Sequence, residues 1–79
     1  MEDDAQVRKR IEKDLALFEE SVRGIKAQPG GQAKVLELAK MYASDSRSFL
    51  DKGDLYTSFS AIAYAHGLID ALKAMEGIE

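Results

Sequence analysis

The chain has no cysteine and a single histidine among its 79 residues. Without thiols it forms no disulfide and no thiolate–metal cluster, and one imidazole is too little for a structural zinc site. It also lacks a long apolar run. The longest uncharged stretch, residues 55–69 (LYTSFSAIAYAHGLI), is too short and too rich in hydroxyls to span a bilayer, which needs ~20 apolar residues. A basic excess is missing as well: the net charge is −3, where a general nucleic-acid binder shows a positive stripe. The opening Met1-Glu2-Asp3-Asp4 is acidic where a signal peptide requires positive charge. These absences lead us to expect one cytoplasmic domain over residues 1–79, with no membrane and no nucleic acid among its partners.

What is present has helical period. Residues 3–26 repeat Val7, Ile11, Leu15, Phe18, Val22 and Ile25 at steps of three and four, one narrow stripe of an α-helix. More than half of all charged residues lie between Glu2 and Lys26, so the remainder of this helix faces water. Asp4–Arg8, Arg10–Asp14 and Glu19–Arg23 stand four apart, each pair worth about 0.2–0.5 kcal/mol. The cluster Arg8-Lys9-Arg10 has Asp4, Glu12 and Asp14 within a turn, which marks a solvated face rather than a phosphate contact. Gln28-Pro29-Gly30-Gly31 then breaks the period. No Lys-Ser/Thr follows and no strand precedes, so this is a connector and not a phosphate-cradling loop.

The second helix, residues 32–52, places Val35, Leu38, Ala39, Tyr42, Ser46, Phe49 and Leu50 on one face. Gly53 suits the left-handed position after a helix, and Asp54 suits the N-cap of the next. So short a turn makes helices two and three antiparallel neighbours. It sets Phe49 against Phe59, Tyr42 beside Ala65 or His66, and Leu38 near Ile69.

The third helix, residues 55–75, turns Leu55, Phe59, Ile62, Ala65, Ile69 and Leu72 inward. On its other side stand Tyr56, Ser60, Ala63, Gly67, Asp70 and Ala74, a mostly small row that would let a second backbone approach. A helix that is apolar or small all round is normally covered on several sides. This row is therefore the expected interface, with Asp70 as its polar anchor. The fold class is all-α: a compact three-helix bundle running up, down, up.

The pattern Tyr42-x-x-Asp45-Ser46-x-x-Phe49-Leu50-x-Lys52-Gly53-Asp54, followed by Ala61-x-x-Tyr64-Ala65-x-Gly67-x-x-Asp70-Ala71, resembles the archaeal family catalogued as domain of unknown function 357. The likeness covers the second and third helices, about half the chain. It implies a small α-helical protein with no assigned activity. Ser46 departs from the Ala that the family favours there. A looser likeness is to the HEPN class, helical partners of minimal nucleotidyltransferases whose hairpin also turns at Gly-Asp. Nuclease members of that class carry Arg and His a few residues apart, whereas Arg47 and His66 are distant here. The same hairpin echoes one tetratricopeptide unit, but no repeat is visible.

His66 would need a nucleophile and an orienting acid to act as a base. Tyr42 and Asp45 on the facing helix suggest instead a polar cluster, Tyr42–Asp45–His66, with a structural role. Tyr56, Tyr64 and Met75 lack the interleaved basic residues of a base-stacking platform and read as core or interface. We expect no catalytic, cofactor or metal residues. The chain reads as a non-enzymatic association module, either a homodimer through its third helix or a partner of another helical protein. The alternative is an accessory domain for a nucleotide-handling enzyme.

Overall fold

The computed structural model describes residues 3–77. Three helices follow in order: α1 (Asp4–Arg23), α2 (Gly31–Asp51) and α3 (Leu55–Glu76). Together they form an elongated three-helix bundle of 40 × 21 × 17 Å.

Local chemistry sets the ends of each helix. Ahead of α1, the Asp3 carboxylate accepts the Gln6 N–H at 2.9 Å while Gln6 Oε1 accepts the Asp3 N–H at 3.1 Å. This reciprocal box satisfies two otherwise orphaned donors. Helix α1 closes at Gly24, short of the expected Lys26. Glycine lowers helical propensity there, and the Lys26 N–H is taken by Glu76 Oε1 at 2.8 Å, which ties the connector to the end of α3. Between α2 and α3, the Asp54 N–H bonds the Phe49 carbonyl (2.9 Å) and the Gly53 N–H bonds the Leu50 carbonyl (3.0 Å). Gly53 has φ +84°, the left-handed conformation such a helix end requires. One residue later the Asp54 carboxylate accepts the Thr57 N–H at 3.1 Å and caps α3. Hydrogen bonding from Thr57, first from its side chain and then from this N–H, holds the Asp54 carboxyl below its usual range.

Cross-helix bonds fix the directions. His66 Nε2 lies 2.8 Å from the Asp14 carbonyl and Lys73 Nζ 3.2 Å from Ser21 Oγ, both 52 residues apart, so α1 and α3 run parallel in constant register. Arg8 Nη1 donates to the Leu50 carbonyl at 3.1 Å, placing the start of α1 at the end of α2. The up-down-up order follows. Arg8 thus reaches the negative end of the α2 dipole rather than the expected Asp4 one turn away.

The core takes Ile11, Leu15 and Phe18 from α1, Ala39, Ala43 and Leu50 from α2, and Ile62, Ala65, Ile69 and Leu72 from α3. Small residues on α2 bring its backbone close to α3, and there a pair of fully buried serines joins them. Ser46 Oγ donates to the Ser58 carbonyl (2.8 Å) and Ser58 Oγ to the Ser46 carbonyl (2.7 Å), with the hydroxyls 3.1 Å apart. This clasp sets the hairpin register. Tyr42 consequently meets Tyr64, centroids 4.5 Å apart and rings tilted by 46°, while His66 turns away to α1. Among the described residues no ring contact joins Phe49 to Phe59; Lys52 Nζ lies 5.5 Å from the Phe49 ring instead. The expected pairs centre the reversal on residues 53–54, about one residue too late, because α2 already ends at Asp51.

Ser46→Ala and Ser58→Ala should each lower stability by about 1 kcal/mol, the net worth of one hydrogen bond, in urea unfolding monitored by circular dichroism. Ser46→Leu should cost more, because a fully buried hydroxyl site has no room for a branched apolar side chain. Asp54 gives a pH test. Its depressed carboxyl stabilises the folded state above the unfolded value of about 4 and loses that contribution as pH falls through the folded value. The melting-temperature gap between wild type and Asp54→Ala should therefore be full at neutral pH and shrink in strong acid, while Asp54→Asn should cap α3 without that pH dependence.

Candidate functional site

Two neighbours cover only part of a helix, and α3 shows this directly. His66 and Lys73 turn toward α1, and Ser58 toward α2. The entire expected row of Tyr56, Ser60, Ala63, Gly67, Asp70 and Ala74 is solvent-exposed in the single chain. Within the single chain, α1 and α2 cover one side of the charge-free run and leave this row open. Ser60 donates to the Tyr56 carbonyl one turn back at 3.0 Å.

The large exposed apolar side chains stand mostly beside that row. Tyr64 is 53% exposed and Met75 62% exposed, on the flank of α3 that the Tyr42–Tyr64 contact turns toward α2. At 100° per residue this flank lies roughly opposite the one carrying His66 and Lys73. On α2, Leu38 and Met41 are 37% and 59% exposed, away from the Lys40–Ala43–Arg47 side that lines the groove with α1. The result is an apolar surface on the α2–α3 side of the bundle, remote from α1. Sequence reasoning places Leu38 in the core and gives no role to Met41; the structure puts both at this surface. The spacing Tyr64–Leu68–Ala71–Met75, a stripe at helical period, is the signal that could have disclosed the α3 part.

The expected polar cluster does not assemble. Tyr42 stacks on Tyr64, Asp45 is exposed, and His66 faces α1, where its ring meets Phe18 edge-on at 5.9 Å. Residues 64 and 66 differ by about 200° around α3, so one helix cannot turn both toward Tyr42. Because the Asp14 carbonyl can only accept, His66 Nε2 carries the proton. That nitrogen is thereby occupied, and among the described residues no hydroxyl is bonded to the ring. His66 serves as a bracket between α3 and α1.

Two of the open grooves run over apolar residues of α1. One, about 380 Å³, lies between the first turns of α1 and α3, over Val7, Leu55, Tyr56 and Phe59, with Asp4 and Arg10 at its edge. The other, about 480 Å³, follows the α1–α2 seam with Lys40, Arg47, Glu19 and Asp51 around Leu15 and Phe18. Neither combines a nucleophile with a bonded base. Among the described residues no three His, Cys, Asp or Glu converge on a point that could hold a metal ion, and no helix is long and apolar enough to cross a membrane.

Fold and surface together define a small three-helix bundle whose chemistry is concentrated in exposed helix faces. Residues 10–78 match the family described as Protein of unknown function (DUF357). The match spans most of the chain, which belongs to that family. No curated protein matches it.

His66→Ala removes one cross-helix hydrogen bond and an aromatic edge contact, and should destabilise the fold by about 1–2 kcal/mol. Urea unfolding measures the loss.

Proposed function

We propose that the chain is a non-enzymatic association module. It pairs with a helical partner, most simply a second copy of itself, through the side of α2 and α3 turned away from α1. The observation that carries this reading is the exposure of Leu38, Met41, Tyr64 and Met75 on one side of so small a bundle. Apolar side chains gathered in a patch, rather than scattered singly, are the usual mark of an interaction surface. The outer row of α3 supports the same reading. Gly67 lies in mid-helix, where glycine costs about 1 kcal/mol relative to alanine, yet a Cβ placed there would meet nothing within 4 Å. No contact inside the chain requires that glycine. A second helix lying along Ser60, Ala63 and Gly67 would. Tyr56, 85% exposed, and Asp70 flank this strip as an aromatic and a polar contact.

Sedimentation equilibrium over the micromolar range tests the proposal. Concentration-dependent dimers that Tyr64→Glu and Met75→Glu weaken are expected; a strict monomer throughout would sink it. Gly67 separates the two roles of its position. At concentrations where the chain is monomeric, Gly67→Ala should raise stability by about 0.5–1 kcal/mol, since the helix gains propensity and nothing is displaced. Gly67→Leu should weaken association while leaving the helical circular dichroism signal intact.

A further inference from the structure

One exposed stripe of α2 is self-complementary. Lys34, Leu38, Met41 and Asp45 follow one another at steps of four, three and four, which keeps them on one face of the helix. All four are exposed, and among the described residues neither the Lys34 nor the Asp45 side chain makes an ion pair. The order is cation, apolar, apolar, anion. It reads the same backwards when the charges are exchanged.

From this pattern we infer that the partner of α2 is the α2 helix of a second copy, laid antiparallel about a two-fold axis passing between Ala39 and Lys40. The inference rests on the self-association proposed above and names its surface. An interface about a two-fold axis must satisfy itself, residue i meeting j and j meeting i. In this register Lys34 of each copy meets Asp45 of the other, and Leu38 meets Met41. Two ion pairs then flank four apolar side chains. Within one helix Lys34 and Asp45 are about 16 Å apart along the axis at 1.5 Å per residue, too far to pair with each other. The same separation keeps the two lysines, and the two aspartates, beyond a Debye length of about 8 Å at physiological ionic strength. A parallel pairing would set Lys34 against Lys34 and Asp45 against Asp45. Charge therefore selects the antiparallel arrangement. Glu37, one turn from both Lys34 and Met41, is engaged with Lys40 at 3.8 Å, which leaves Lys34 for the second copy. By itself this α2–α2 contact is smaller than the ~1,600 Å² of a standard stable interface; the exposed α3 residues Tyr64 and Met75 on the same side of the bundle add to it, and the dimer stays a weak, reversible one.

Charge exchange tests the pairing on the full chain by sedimentation equilibrium, with circular dichroism to confirm the fold. Both positions are exposed on the helix surface, so the variants should fold. Lys34→Glu and Asp45→Lys each turn two attractive pairs into two repulsive ones and should raise the dimer dissociation constant roughly tenfold. An equimolar mixture of the two variants restores both pairs in the heterodimer. The introduced glutamate of one chain then meets the introduced lysine of the other, the unchanged Asp45 meets the unchanged Lys34, and wild-type affinity should return. The double variant should recover it as a homodimer. A wild-type chain that stays monomeric would overturn this inference and the proposed function together. A wild-type dimer that ignores the single reversals, or that neither the mixture nor the double variant rescues, would overturn the α2 pairing alone.

Discussion

The close approach of α2 to α3 governs everything else in this bundle. Two buried serines, Ser46 and Ser58, each give a hydroxyl proton to the other's backbone carbonyl. Such a bond forms only where two helix backbones nearly touch, which is why the α2 contribution to the core is largely alanine. The clasp also removes any freedom to slide. Once the hydroxyls are satisfied, moving either helix by one residue would strand two buried polar groups, each costing about 1–3 kcal/mol.

With that hairpin fixed, α1 completes the bundle along its other side. Its apolar stripe of Ile11, Leu15 and Phe18 fills the seam between the two helices. Its polar bonds are mostly brackets: Arg8 to the last turn of α2, and Asp14 and Ser21 to the imidazole and ammonium of α3. The one histidine of the chain is used in this way, which explains its half-buried place without invoking catalysis. Covering one side of the hairpin leaves the other bare. The surface carrying Leu38, Met41, Tyr64 and Met75 is the side of the hairpin that α1 does not reach.

Much of the fold was legible from spacing. Steps of three and four located all three helices, and Gly53-Asp54 located the turn between the last two, because a left-handed residue followed by a side-chain acceptor has few other uses. The likeness carried by Tyr42 to Asp54 and Ala61 to Ala71 agrees with the family match over residues 10–78. The surface was less legible. Leu38 reads as core because it shares a face with Ala39 and Tyr42, yet the core direction runs through Ala39 and Ala43. Tyr42, Asp45 and His66 look like neighbours when facing helices are known but their rotation is not.

Local propensity and hydrophobic period were therefore enough to establish which segments coil, the antiparallel hairpin, the inward stripe of α1 and most of that of α3; Phe59, expected inward, is 39% exposed because the core direction of α3 runs through Ile62, Ala65 and Ile69. How far each helix is turned about its axis emerged solely from packing in three dimensions. That rotation is set by which small residues permit backbone contact, and here it was the Ser46–Ser58 pair, with Ser58 giving no periodic signal of its own. A change of a few tens of degrees moves a side chain from the core to water. For that reason the chain's interior could be read along its length, while its exposed face became visible only once the helices were assembled.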